Sequence, residues 1–165
     1  MNPFSRFLGL VMAVSLTACA SPKTPPPAPA PVEPDRFLAR QVTASDHCGL
    51  VAPGLVDIAD EATLTRFLSL PAQTLTLPDS PDFDRQHFLV VALGQKPSAG
   101  YGVTLASAAL HDQVLRLDAQ VRKPAADQMA AQVVTTPCMV LAILSGHWQR
   151  IEVHGEGMPT LTRMR

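Results

Sequence analysis

The feature that most limits what this chain can fold into is a proline-rich block near its start. Ser21 to Pro34 reads Ser-Pro-Lys-Thr-Pro-Pro-Pro-Ala-Pro-Ala-Pro-Val-Glu-Pro. Proline has no backbone N–H to donate, and the stretch has little apolar surface to bury. It therefore joins neither helix nor sheet, and it divides the chain in two. In polyproline II geometry, at ~3.1 Å per residue, it makes a spacer on the order of 40 Å long. Such a segment can also be a ligand for aromatic grooves, but a plain linker is the simpler reading. The fold must then come from residues 35–165, one modest domain. The whole chain of 165 residues carries a net charge of −1 and no basic run, so no field gathers nucleic acid.

Upstream of the prolines, residues 1–18 have the layout of an export signal. Arg6 is the one charge ahead of an apolar run from Phe7 to Leu16. That run is too short to cross a hydrocarbon core ~30 Å thick. It ends in Leu16-Thr17-Ala18-Cys19, which resembles the lipobox of bacterial lipoproteins. The resemblance implies that the Cys19 thiol is acylated, that a signal peptidase cuts before it, and that palmitate-type chains hold the mature protein on a membrane. Each buried acyl methylene contributes ~0.8 kcal/mol to such an anchor. Ala20 follows in place of an Asp. By resemblance to the sorting rule of Gram-negative lipoproteins, this implies the outer membrane, on its periplasmic or surface face. The plainer alternatives are a secretory signal with a chance Cys, or a buried apolar helix.

Past the linker the patterns are mostly those of strands. A first strand is expected within Gln41–Val51. Asp60 to Ser69 reads as the one helix: Asp60 can cap it, Leu64, Phe67 and Leu68 share a face, and Pro71 stops it. Phe88 to Leu93 is a continuous apolar run, expected of a strand buried on both faces. Tyr101, Val103 and Leu105 alternate with small or polar residues, as do Leu115, Leu117, Ala119 and Val121. With His111-Asp112-Gln113 as the turn, these make a hairpin. Arg122 to Gln132 reads as a connection or short helical excursion. Val133-Val134 and Cys138 to Leu144 read as another buried strand, and Ile151 and Val153 mark a further one. From Glu156 onward the chain reads as frayed. The expected architecture is mostly β, an antiparallel sheet or sandwich with one packed helix, and α+β remains open.

One ordered set of motifs goes further. Cys48-Gly49-Leu50, the helix near Phe67, Phe88-Leu89-Val90-Val91, the loop Gly94-Gln95-Lys96-Pro97-Ser98-Ala99-Gly100-Tyr101, the hairpin, and Thr135-Thr136-Pro137-Cys138-Met139-Val140-Leu141 follow in that order. This order resembles the C-terminal domain of the PrcB family, named for a subunit of a bacterial surface protease complex. The likeness spans roughly Cys48 to Leu144, and the loop is its most specific element. Cys138 departs from it, standing where the family usually has an aromatic residue. The resemblance implies a non-catalytic subunit or adaptor of an envelope protein complex, not an enzyme.

Few residues invite other chemistry. Once Cys19 is used, Cys48 and Cys138 are the remaining thiols, and in an oxidising compartment an even pair reads as a disulfide. Closing so long a loop stabilises by roughly 4 kcal/mol on the chain-entropy view. The alternatives are two buried free thiols, or a metal site drawn from His47, Cys48, Cys138 and His147; no Cys-x-x-Cys or His-x-x-x-His spacing supports the metal, and no cofactor is expected. A phosphate-loop reading of Gly94–Gly100 fails because Tyr101 stands where a Lys would follow the second glycine. The loop is instead a turn stiffened by Pro97, with Lys96, Pro97, Ser98, Gly100 and Tyr101 as a candidate contact surface. Ser98 lies in no Gly-x-Ser-x-Gly elbow, the histidines are scattered, and Asp79, Asp82 and Asp84 lack the spacing of a calcium loop. Three functions are weighed: an adaptor binding an envelope protein, a hydrolase whose residues converge only in space, and a carrier of small apolar ligands.

Overall fold

The computed structural model describes residues 37–71, 73–77, 81–125, 127, 129–146 and 148–165. Cys19, the export signal, the proline-rich linker, His147 and Asp79 lie outside the described residues. The order is β1 (Ala39–Ser45), β2 (Pro53–Ile58), α1 (Glu61–Leu68), β3 (Gln86–Leu93), β4 (Gly102–His111), β5 (Val114–Arg122), β6 (Cys138–Leu144), β7 (Arg150–Gly155) and β8 (Leu161–Met164). They form two four-stranded sheets, β1-β6-β3-β2 and β4-β5-β7-β8. Among the described residues the fold is mostly β with a single short helix. Every strand pair is antiparallel except β5 with β7. Parallel neighbours need a crossover, and here it includes β6, which lies in the other sheet.

The first sheet is the middle layer. Leu89, Val91 and Leu93 of β3 and Met139, Leu141 and Ile143 of β6 pack on Val103, Leu115, Leu117, Ile151 and Val153 of the second sheet. The alternate residues Phe88, Val90, Val140 and Ala142 pack on Ile58, Leu64 and Phe67. Strands covered on both faces have no polar side, which is why both central strands read as unbroken apolar runs. The second sheet is covered on one face alone, and β4 and β5 keep the alternation of period two.

The helix begins where its cap dictates. Asp60 accepts from the Thr63 N–H at 2.7 Å, and the Thr63 hydroxyl donates to the same carboxylate at 2.9 Å. These bonds satisfy end groups the helix leaves open and hold the Asp60 carboxyl below its ordinary range, the Thr63 backbone bond chiefly. Leu64 and Phe67 are buried, whereas Leu68, expected to share their face, stays 40% exposed at the last turn. The β4–β5 turn places Asp112 and Gln113 at φ 47° and 63°, the left-handed pair that matches strand twist in a two-residue hairpin.

Three expectations are corrected and one strand is added. The first strand spans Ala39–Ser45, not Gln41–Val51. Pro53–Ile58, unread in the sequence, is an edge strand paired with β3. Val133 and Val134 stand 50% and 61% exposed outside any strand, because this stretch bonds to a loop instead of a sheet. The chain past Glu156 is not frayed: β8 pairs along β7 from Arg150↔Met164 to Val153↔Leu161.

The edges of the two sheets meet along two seams. On one, the Gln41 side chain accepts the Leu105 N–H at 2.9 Å, tying β1 to β4. On the other, Asp57 of β2 faces Arg163 of β8 at 3.8 Å and accepts contact from His87 Nδ1 at 3.2 Å.

Candidate functional site

The loop between β3 and β4 is built by its backbone. Gly94 turns the chain at φ +71°, where a Cβ would sit 2.7 Å from the Pro53 ring, so only glycine fits. Gln95 N–H donates to the Val51 carbonyl at 3.0 Å. Lys96 and Thr135 exchange both backbone bonds, at 2.9 and 3.0 Å, and Ala99 N–H donates to the Ala131 carbonyl at 2.9 Å. The Thr135 hydroxyl donates to the Ser98 carbonyl at 3.1 Å, and Arg122 Nε to the Gly100 carbonyl at 3.2 Å. The segment before β6 is thus a buttress under the loop, which is what residues 129–135 do instead of forming a strand.

The five residues expected to form a contact surface divide. Ser98 is buried, 6% exposed, with its neighbours' bonds closing over it. Gly100 is backbone support. Pro97 is exposed and Lys96 and Tyr101 are half-buried; the Lys96 ammonium lies over the Tyr101 ring, 5.9 Å from its centroid, a cation–π arrangement that steadies both. Exposed Val51, at 63%, adjoins the loop through its carbonyl's bond from Gln95, and Val134, at 61%, directly precedes Thr135. Thr135, Ala131 and Arg122 were not singled out in the sequence. Three of their five bonds to the loop run between backbones, which leaves no mark on side-chain pattern, though Thr135 lies in the motif that carried the resemblance.

A disulfide joins Cys48 to Cys138, 90 residues apart, with Cα atoms 6.1 Å from each other. Both residues are at most 1% exposed. The Thr136 hydroxyl accepts the N–H groups of Cys48 and Gly49 at 3.0 and 3.2 Å, so the bridge sits in a knot of bonds at the start of β6. With both sulfurs so committed, neither is a thiolate ligand. Among the described residues no group of three His, Cys, Asp and Glu side chains is placed to hold a metal.

Among the described residues, the His87 imidazole meets the largely buried Asp57 carboxylate. Each side chain is 12% exposed, and the His87 ring meets Trp148 edge-on, centroids 6.1 Å apart. His87 stands at the start of β3, and the Ser98 loop follows its far end, so the two cannot act together on one bond. The space between α1 and the first sheet is filled by Leu64, Phe67, Phe88 and Val90.

A disulfide-stapled, two-sheet β domain presenting a rigid loop at one end is the class of protein these observations define. Residues 87–143, which run from β3 to β6, match the family described as PrcB C-terminal. The match holds the loop and Cys138 but not Cys48 or α1, so it is narrower than the span over which the sequence resembled the family. Neither a curated protein nor a solved structure matches the chain.

Proposed function

We propose that this protein is a lipid-anchored envelope subunit or adaptor that binds another protein with the end of the domain carrying the Gly94–Tyr101 loop, and that it has no catalytic centre of its own. The observation that carries the reading is the buttressing of that loop. Backbone bonds to Val51, Ala131 and Thr135 brace it, while exposed Pro97 and half-buried Lys96 and Tyr101 stand near exposed Val51 and Val134. A rigid loop with an aromatic, a cation and neighbouring apolar side chains is a contact surface prepared at low entropic cost. The PrcB C-terminal match fits a subunit of a protease complex, which is the finer form of the proposal. Cys19 supplies the anchor, the outer membrane is the destination, and the buried disulfide suits an oxidising compartment.

The test is capture of a partner from detergent-solubilised envelopes by the full chain and by a Lys96→Ala/Tyr101→Ala variant. A defined partner held by the wild type and lost by the variant, with the variant's melting temperature unchanged, is the expected result. Equal capture by both would remove the loop from the interface. Palmitate labelling that persists in Cys19→Ala would remove the anchor.

A further inference from the structure

The seam between β1 and β4 closes at one point and opens at another. Gln41 and Leu105 bridge it; towards Ser45 and Val103 the two strands part around a groove of about 520 Å³ with the disulfide residue Cys138 at its base. Both walls are sheet edges, because β1 pairs with β6 and β4 with β5, and no register joins β1 to β4 among the described residues. The orientation of β4 follows from the bridge. Leu105 turns its N–H away from β5 for Gln41 to take it, and a strand repeats that orientation every second residue. The N–H and C=O of Val103 therefore face the groove, where β1 offers them no backbone. Gly102 puts no side chain in the way, and Arg122 and Asp46 stand on opposite walls, both exposed. Arg122 spends Nε on the Gly100 carbonyl, which leaves its other nitrogens to a ligand.

Resting on the adaptor reading, we infer that this groove takes an extended segment of the partner protein, which adds itself to the β4 edge at Val103 and sets a carboxylate side chain against Arg122. An open edge recognises another backbone through main-chain bonds, and side chains alternate to either side of it. Here the alternation places one side chain of the guest toward β5 and Arg122, the other toward β1 and Asp46. The acidic residue belongs on the first side by charge, and a neutral or basic one on the second.

The experiment uses the full chain in detergent and a fluorescein-labelled peptide, acetyl-Thr-Val-Glu-Val-Thr-amide, read by fluorescence anisotropy and by backbone hydrogen exchange. Saturable binding is expected, with exchange slowed at the Gly102–Thr104 segment. N-methylating the peptide's valines should weaken binding about tenfold or more, since each methyl removes a main-chain donor. Arg122→Glu, checked for an unchanged melting temperature, should prefer the peptide with Lys in place of Glu. Failure of saturable binding, indifference to N-methylation, or protection elsewhere overturns the assignment. So does a dimer that the peptide competes away, which would give the edge to a second copy of this chain. If the peptide fails while the Lys96→Ala/Tyr101→Ala variant still loses its partner, the groove falls and the adaptor reading stands.

Discussion

The two sheets are equal in strand number and unlike in everything that holds them. The first is covered on both faces, by the second sheet and by α1 with its neighbouring loops, and is stapled at Cys48–Cys138. The second has one face in the core and one in water, where Arg116 pairs with Asp118 and Arg150 with Glu152. Exposed pairs of that kind contribute little. The stability of the domain therefore resides in the first sheet and its two interfaces, and the outer face of the second contributes little to it.

The comparison breaks most readily at the centre of β6. Leu141→Ala, with Leu141 fully buried, should cost ~2–5 kcal/mol in denaturant unfolding, whereas Thr104→Ala on the exposed part of β4 should stay within ~0.5 kcal/mol; similar losses at both sites would refute the asymmetry. The Cys48→Ala/Cys138→Ala variant should lose ~2–4 kcal/mol, and reducing agent should bring the wild type to the same unfolding midpoint. Asp57→Ala removes the carboxylate from His87 and opens the β2–β8 seam, at a cost of ~1–3 kcal/mol, read as faster hydrogen exchange in β8 than in β7. The smallest effect belongs to the exposed Asp60 cap. Its folded-state carboxyl is held below the ordinary range by the Thr63 bonds. The stability it adds is therefore present above the unfolded-state value and is lost as pH falls through the folded one. Asp60→Ala should melt below wild type at neutral pH, and the gap should close in acid.

What was legible in the sequence follows the same division. Strands β3 and β6, buried on two faces, announce themselves as apolar runs; β4 and β5, buried on one, as alternation; α1 by its cap and its Leu64–Phe67 pair. Cysteine parity pointed to the bridge between Cys48 and Cys138. Strand β2 was hidden because Pro53, Gly54 and Asp57 occupy half of its six residues, and proline and glycine read as turn. Strand β8 was hidden because three of its four residues are exposed, so its pairing leaves no hydropathy trace. At the site, the outward-facing Lys96 and Tyr101 could be chosen from their loop, but the burial of Ser98 and the buttress from Ala131 to Thr135 could not. Main-chain bonds are available to any residue and so carry no compositional sign.

The staple has a mechanical consequence. Strand β1, the first in the chain order, lies against β6 from Ala39↔Ile143 to Ser45↔Cys138. A tug on the N-terminus, with the body of the domain held by a partner, would peel β1 away one rung at a time from its Ala39 end. The rupture would run toward Cys138 and stop there, because the covalent link lies just past the last rung. In a single-molecule pulling experiment the oxidised protein should yield a short extension and then arrest, and the reduced protein should unravel through β6.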